Sequence, residues 1–194
     1  MSGPGSGSTD MRDLEALALG CAQCGLSKTR TQVVFGEGAE NARVMFVGEA
    51  PGQEEDAQGR PFVGAAGKLL TALLGDIGLK RSDVYITNIV KCRPPGNRDP
   101  QPEEIRACND YLVAQVALIS PTVICTLGRY AAITLLDLPD FKITRDHGRA
   151  VRWKGLLAMP VLHPAAALHQ ARFMEPLRHD FAQLEQLLKN KNLL

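Results

Sequence analysis

Val44-Met45-Phe46-Val47-Gly48-Glu49-Ala50-Pro51-Gly52 joins an unbroken apolar run to an elbow rich in Gly and Pro. A short continuous apolar run bounded by turn residues reads as a strand buried on both faces. In open α/β sheets, ligand sites are built where the chain leaves the carboxyl end of such a strand. The elbow continues through Gln53-Glu54-Glu55-Asp56 and is followed by Phe62-Val63-Gly64. Short Gly/Pro matches also arise in ordinary strand-to-helix turns, so the other strand ends must decide whether this one belongs to a site.

Three further apolar runs read as strands: Val84-Tyr85-Ile86-Thr87, Thr122-Val123-Ile124-Cys125-Thr126 and Leu157-Ala158-Met159-Pro160-Val161-Leu162. If all four strands are parallel, their carboxyl ends present Glu49, Asn88, Gly128 and His163, and one pocket can hold all four. Candidate helices span 65–77, 102–119, 129–136 and 175–188. The second opens with Pro102-Glu103-Glu104, where Pro suits a first turn and the acids favour the positive end of the helix dipole. The alternation predicts a three-layer α/β/α sandwich around a central, mainly parallel four-stranded sheet.

With 194 residues, 45% of them apolar and 5% aromatic, the chain suits one well-packed domain, expected over 11–194. Residues 1–10 lack any apolar stretch and read as a flexible tail and not a signal peptide, and no run is long enough to span a membrane. The Pro-rich stretch 93–102 reads as a long loop, a frequent carrier of function. A net charge of +1 excludes a globally basic surface. Locally, Lys91, Arg93 and Arg98 crowd that loop, while Lys142, Arg145, Arg149, Arg152 and Lys154 precede the last strand. Such segregation fits either one phosphate-facing side or an ordinary solvated face.

Five cysteines without a secretory signal point to thiols or metal and away from disulfides. Cys21-Ala22-Gln23-Cys24 is a C-x2-C pair, and Cys92 and Cys108 flank the Pro-rich loop. Four thiolates serve zinc or an iron–sulfur cluster equally, the alternative being that Cys92 and Cys108 are unrelated free cysteines. Cys125, inside an apolar strand, reads as a small buried hydrophobe.

Gly48-Glu49-Ala50-Pro51-Gly52, Gly59-Arg60-Pro61-Phe62-Val63-Gly64, Thr87-Asn88-Ile89-Val90-Lys91-Cys92-Arg93-Pro94-Pro95 and Leu162-His163-Pro164-Ala165 together resemble the family-4 uracil-DNA glycosylases, the iron–sulfur branch of the uracil-DNA glycosylase superfamily, in order and approximate spacing. The resemblance covers nearly the whole chain. It implies a [4Fe-4S] cluster held by Cys21, Cys24, Cys92 and Cys108, structural in role. It further implies hydrolysis of the N-glycosidic bond of uracil in single- or double-stranded DNA, which requires extracting the base from the stack. Cytoplasmic residence and a monomeric state come with it as default expectations.

The resemblance also assigns roles. Glu49, Ala50, Pro51, Phe62, Asn88 and His163 are expected to bind uracil, with Phe62 stacking on the base. The Asn88 amide would accept from N3–H and donate to O4, a pattern cytosine cannot match. His163 would donate to O2 as negative charge grows on the departing base. Glu49 is expected to orient water, with Glu55 or Asp56 as substitutes; better-known superfamily members carry Asp where Ala50 stands. The segment 165–172 would supply a minor-groove wedge, with Leu168 as the intercalating side chain and Arg172 on phosphate.

A non-enzymatic iron–sulfur protein that binds uracil-containing DNA is the alternative, and intact Asn88 and His163 argue against it. A covalently trapping relative has a His-bearing basic loop, and 93–107 contains no His. An electron-transfer protein would not require the strand-end pocket.

Overall fold

The computed structural model describes residues 10–136 and 140–193; the tail expected over 1–10 lies, but for Asp10, outside the described residues. The elements run α1 (Met11–Leu19), β1 (Glu37–Gly38), β2 (Val44–Gly48), α2 (Gln53–Gln58), α3 (Ala65–Asp76), β3 (Tyr85–Asn88), α4 (Pro102–Ile119), β4 (Val123–Leu127), α5 (Arg129–Leu136), α6 (Ile143–Asp146), β5 (Val151–Trp153), β6 (Leu156–Val161), α7 (Pro164–His169) and α8 (Met174–Asn190).

These strands form one sheet in the order β1-β3-β2-β4-β6-β5. The inner four, β3-β2-β4-β6, are parallel and are the four expected from the sequence. The sheet is six-stranded and not four-stranded, because β1 and β5 add antiparallel edges. Neither edge carries an apolar run: β1 is Glu37-Gly38, and β5 is Val151-Arg152-Trp153 with its first two residues exposed. Both are held by pairing and not by burial, so no hydrophobic pattern announces them.

Alternation along the inner strands builds two cores. Val44 and Phe46 of β2 face one way, onto Leu70, Leu73 and Leu74 of α3 and Phe181 and Leu184 of α8. Met45 and Val47 face the other, onto Met11 and Leu14 of α1 and Leu112 and Ile119 of α4. The result is the expected α/β/α layering. Phe46 and Phe181 stack with centroids 6.1 Å apart, pinning α8 across the sheet centre.

Chain order places the site. From β2 the chain crosses to β3 on one side, then returns to β4 on the other, so β2 ends in the crevice where connections diverge.

Candidate active site

At that crevice the carboxyl ends of β2, β3 and β6 open into a cleft of about 440 Å³ lined by Glu49, Ala50, Pro51, Phe62, Asn88 and His163. The structure thus brings together all six residues expected to hold the base. Gly48 makes the junction possible: a Cβ there would lie 2.4 Å from Asn88 Oδ1 and 2.6 Å from Phe62 Cζ. Gly128, the fourth strand end, faces His163 from the back, its Cα position leaving 3.0 Å between an added Cβ and His163 Cβ.

Asn88 ends β3 and is 1% exposed. Its Oδ1 is buried and accepts no hydrogen bond within the described residues. Leaving such an oxygen unpaired costs about 1–3 kcal/mol, so it marks an acceptor held ready for a donor from outside the chain.

His163 caps the N-terminus of α7, and its Nδ1 accepts the Ala165 amide at 3.1 Å. The ring proton therefore sits on Nε2. Burial drives the imidazole down to about 4, so the ring is neutral at physiological pH. Phe62 lies beside it, ring centroids 5.7 Å apart and tilted by 33°. Phe62 also packs in the core and has φ of 52°, a conformation that a bulky residue adopts only when its surroundings impose it. Those surroundings are explicit. Arg81 donates to the carbonyls of Pro61 at 2.7 Å and Phe62 at 3.0 Å and to Glu37 at 3.0 Å, while Gly67 of α3 lies against the Phe62 carbonyl so closely that a Cβ would meet it at 1.8 Å.

The three acids of the elbow separate by environment. Asp56 is turned away and buried, its Oδ1 accepting the amides of Thr31 at 2.9 Å and Gln32 at 3.3 Å. Glu55 lines the cleft but clasps the elbow to the next loop, accepting from Gly52, Val63 and Gly64. Glu49 makes no such commitment. Burial, with Asp99 across the cleft, raises its carboxyl to about 7.

Residues 94–99 and α7 supply walls that were not expected to hold the base: Pro94, Asn97, Arg98, Asp99 and His169. Pro94 stands in one of the quoted motifs, Arg98 among the loop cations and His169 in the wedge segment, whereas only the length of the Pro-rich loop hinted at Asn97 and Asp99. Asn97 has φ of 56° and accepts Arg93 Nε at 2.7 Å; the Tyr130 hydroxyl donates to Asp99; Arg98 grips Glu104 of α4 with bonds of 2.6 and 2.9 Å. The loop is therefore fastened to α4 and α5. Of the cations expected on one phosphate-facing side, Lys91 is buried and Arg145 is paired with Asp146. Leu168 and Arg172 are exposed and line no part of the cleft; Arg172 rests on the Phe173 ring at 4.9 Å.

Beyond β3 the thiols of Cys21, Cys24, Cys92 and Cys108 surround a second, smaller cavity. Cys125 lies apart, fully buried in β4. Arg30 spans the two halves of this site, donating to Cys92 Sγ at 3.2 Å and to the Cys21 carbonyl at 2.8 Å. Burial pushes the Cys92 thiol up to about 11 and raises Cys108 as well. A metal centre here must therefore displace bound protons. Among the described residues no three His, Cys, Asp or Glu side chains converge as ligands of a single ion, and no helix is long and apolar enough to cross a membrane.

Comparison with known proteins places the chain in a family. Residues 35–187 match the model of the uracil DNA glycosylase superfamily. The Type-4 uracil-DNA glycosylase of Archaeoglobus fulgidus is 48% identical over 92% of this chain and 94% of its own length. That of Saccharolobus solfataricus is 46% identical over 88% and 83%, and that of Thermotoga maritima 50% identical over 76% and 78%.

Proposed function

The chain belongs to the uracil-DNA glycosylase superfamily, among its type-4 members, and on that premise we propose that Asn88, Phe62, His163 and Glu49 carry out the release of uracil from DNA. The protein is a DNA-repair glycosylase that hydrolyses the N-glycosidic bond and leaves free uracil and an abasic site. The observation that carries the residue assignment is the buried, unpaired Oδ1 of Asn88 facing the cleft. Uracil N3–H supplies the donor it lacks, and the amide NH2 answers O4. Cytosine offers an acceptor at N3 and a donor at its exocyclic amine, so it meets the amide with both polarities reversed.

Phe62 stacks on the flipped base, held in a strained backbone by Arg81 and Gly67. His163 donates from Nε2 to O2, where charge accumulates as the bond to the sugar lengthens. A neutral imidazole suits this task, because a preorganised N–H in a dry cleft stabilises the anion without giving up its proton. Glu49, the elbow acid with no structural bond to hold it, orients water toward the electron-poor sugar carbon. Little activation of that water is needed once the bond has largely broken, so position outweighs basicity. Leu168 and Arg172 act outside the cleft on the duplex, Leu168 as wedge and Arg172 on phosphate.

The thiols of Cys21, Cys24, Cys92 and Cys108 would hold a [4Fe-4S] cluster. Four thiolates around one cavity suit an iron–sulfur cluster as they suit zinc, and membership among the type-4 enzymes is what favours the cluster. By holding such a group, the four cysteines would join the segment bearing Cys21 and Cys24 to the start and end of the Pro-rich loop.

Incubation with oligonucleotides differing only in one uracil or thymine tests the assignment. Uracil release that falls about a hundredfold in His163→Ala, with DNA affinity retained, is expected; an unchanged single-turnover rate would remove His163 from the reaction. Tight binding without release would favour the non-enzymatic alternative.

A further inference from the structure

Lys91 is 1% exposed, a cation buried on the far side of β3 from solvent. Its Nζ donates to Thr87 Oγ1 at 2.7 Å, to Gln115 Oε1 of α4 at 2.6 Å and to the main-chain carbonyl of Asn88 at 2.7 Å. Three donors meet three oxygens, and no carboxylate is among them. Desolvating an ammonium costs several kcal/mol even when it is well hydrogen-bonded, which is unexpected for a residue whose only task is to fill the core.

The third acceptor gives the burial its purpose. Asn88 is the last residue of β3 paired with β2, opposite Gly48. Immediately after it, the Ile89 and Val90 amides donate to the carbonyls of Gly48 and Glu49 at 2.9 and 3.2 Å. The chain is thus zipped to the elbow on one side, while Lys91 holds the Asn88 carbonyl on the other. The peptide that carries the Asn88 side chain is gripped from both directions, and that side chain ends in the unpaired Oδ1. The Lys91 main chain is fixed too, its amide donating to Cys108 Sγ at 3.3 Å and its carbonyl accepting the Val34 amide at 2.7 Å.

We propose that Lys91 is a positioning residue that sets the orientation of the Asn88 amide from beneath β3 and ties it mechanically to the four-thiol centre. This rests on reading Asn88 as the amide that recognises uracil. The ammonium touches no substrate. It acts by removing rotational freedom from the Asn88 peptide, so that the amide meets the base already aimed. A ring of neutral oxygens suits that function, because three directed bonds fix one geometry where a single ion pair would leave the side chain free to swing.

Lys91→Met keeps the length and bulk of the side chain and removes all three donors. The maximal rate of uracil release is expected to fall about tenfold while the DNA concentration giving half-maximal rate and the affinity for abasic-site DNA stay within about twofold. Titration with free uracil, which isolates recognition of the base from turnover, should show affinity for uracil itself weakened by about the same tenfold factor. A variant that melts at lower temperature but releases and binds uracil as the parent does would reduce Lys91 to a structural role and overturn the proposal. Should Lys91→Met fail to fold, Thr87→Val decides: it preserves shape, removes one acceptor, and is expected to lower the maximal rate about threefold, and an unchanged rate would overturn the proposal. Asn88→Ala separates the two levels. If it releases uracil at the parental rate, the reading of Asn88 itself fails; if it is slow while Lys91→Met and Thr87→Val are both normal, only the Lys91 inference falls.

Discussion

His163 and Glu49 share one cleft and are shifted in opposite directions, the imidazole down to about 4 and the carboxyl up to about 7, and burial is the main cause in both. Burial disfavours whichever form is charged, so at neutral pH the histidine is a fixed donor and the glutamate is poised. If the ionised carboxylate orients water, uracil release should rise as pH increases through about 7 and the rise should vanish in Glu49→Gln, measured as single-turnover rates. The charged or titratable groups facing Glu49 are Asp99, Tyr130, Glu55, Arg98, His163 and His169. Asp99→Asn removes the like charge and should move the midpoint to lower pH. Stability runs the other way. A carboxyl whose folded value is raised binds its proton more tightly folded than unfolded, so it stabilises at low pH and loses that contribution as pH rises through about 7. Glu49→Gln should therefore melt higher than the parent at pH 8 and gain little at pH 5. Conversely, Asn88→Asp, which cannot donate to O4, should lose preference for uracil over cytosine in competition assays.

At the scale of elements, the site is a junction of loops held by backbone contacts. The elbow after β2, the Phe62 loop and the end of β3 converge where Gly48 leaves room for two side chains. Gly48→Ala should cost about 1–3 kcal/mol by overpacking and should abolish uracil binding out of proportion to the stability lost, since the added methyl collides with Asn88 and Phe62. The Phe62 loop depends on α3 and on Arg81, which joins its carbonyls to Glu37 of β1. Arg81→Ala should then weaken uracil affinity without touching the base, read by titration with free uracil. The helix boundaries were legible in local signals. Pro102, Glu103 and Glu104 mark the start of α4, and Glu104 accepts the Gln101 amide at 2.8 Å. The edge strands, the nine-residue α1 and the three short helices α2, α6 and α7 were not read from the sequence; the strands and short helices span only two to six residues, too few for periodicity to register.

Across the whole molecule, two cavities lie on either side of the β3 terminus, and the chain from Thr87 to Cys92 runs between them. Loss of the thiol centre should thus be felt in the cleft. If the proposed cluster is present, Cys92→Ser should lose its visible absorbance and lower the melting temperature, and a fully coloured, equally stable variant would contradict the ligand set. By itself the sequence determined the four inner strands, the α/β layering and the six residues that gather at the strand ends. The strands, the layering and the strand ends Glu49, Asn88 and His163 follow from local apolar runs interrupted by Gly, Pro and polar residues, which a parallel sheet turns into one crevice, whereas Ala50, Pro51 and Phe62 were expected there from the family resemblance. The tertiary structure alone decided which acid stays free: Glu49, Glu55 and Asp56 stand within one elbow, and only their partners at Val63, Gly64 and Thr31 tell them apart. It likewise decided that Lys91 faces inward, that Asn97 and Asp99 wall the cleft, and that Leu168 stands outside it. These outcomes depend on contacts between residues far apart in the chain, and the strength and direction of such contacts are set by burial and geometry that no local pattern encodes.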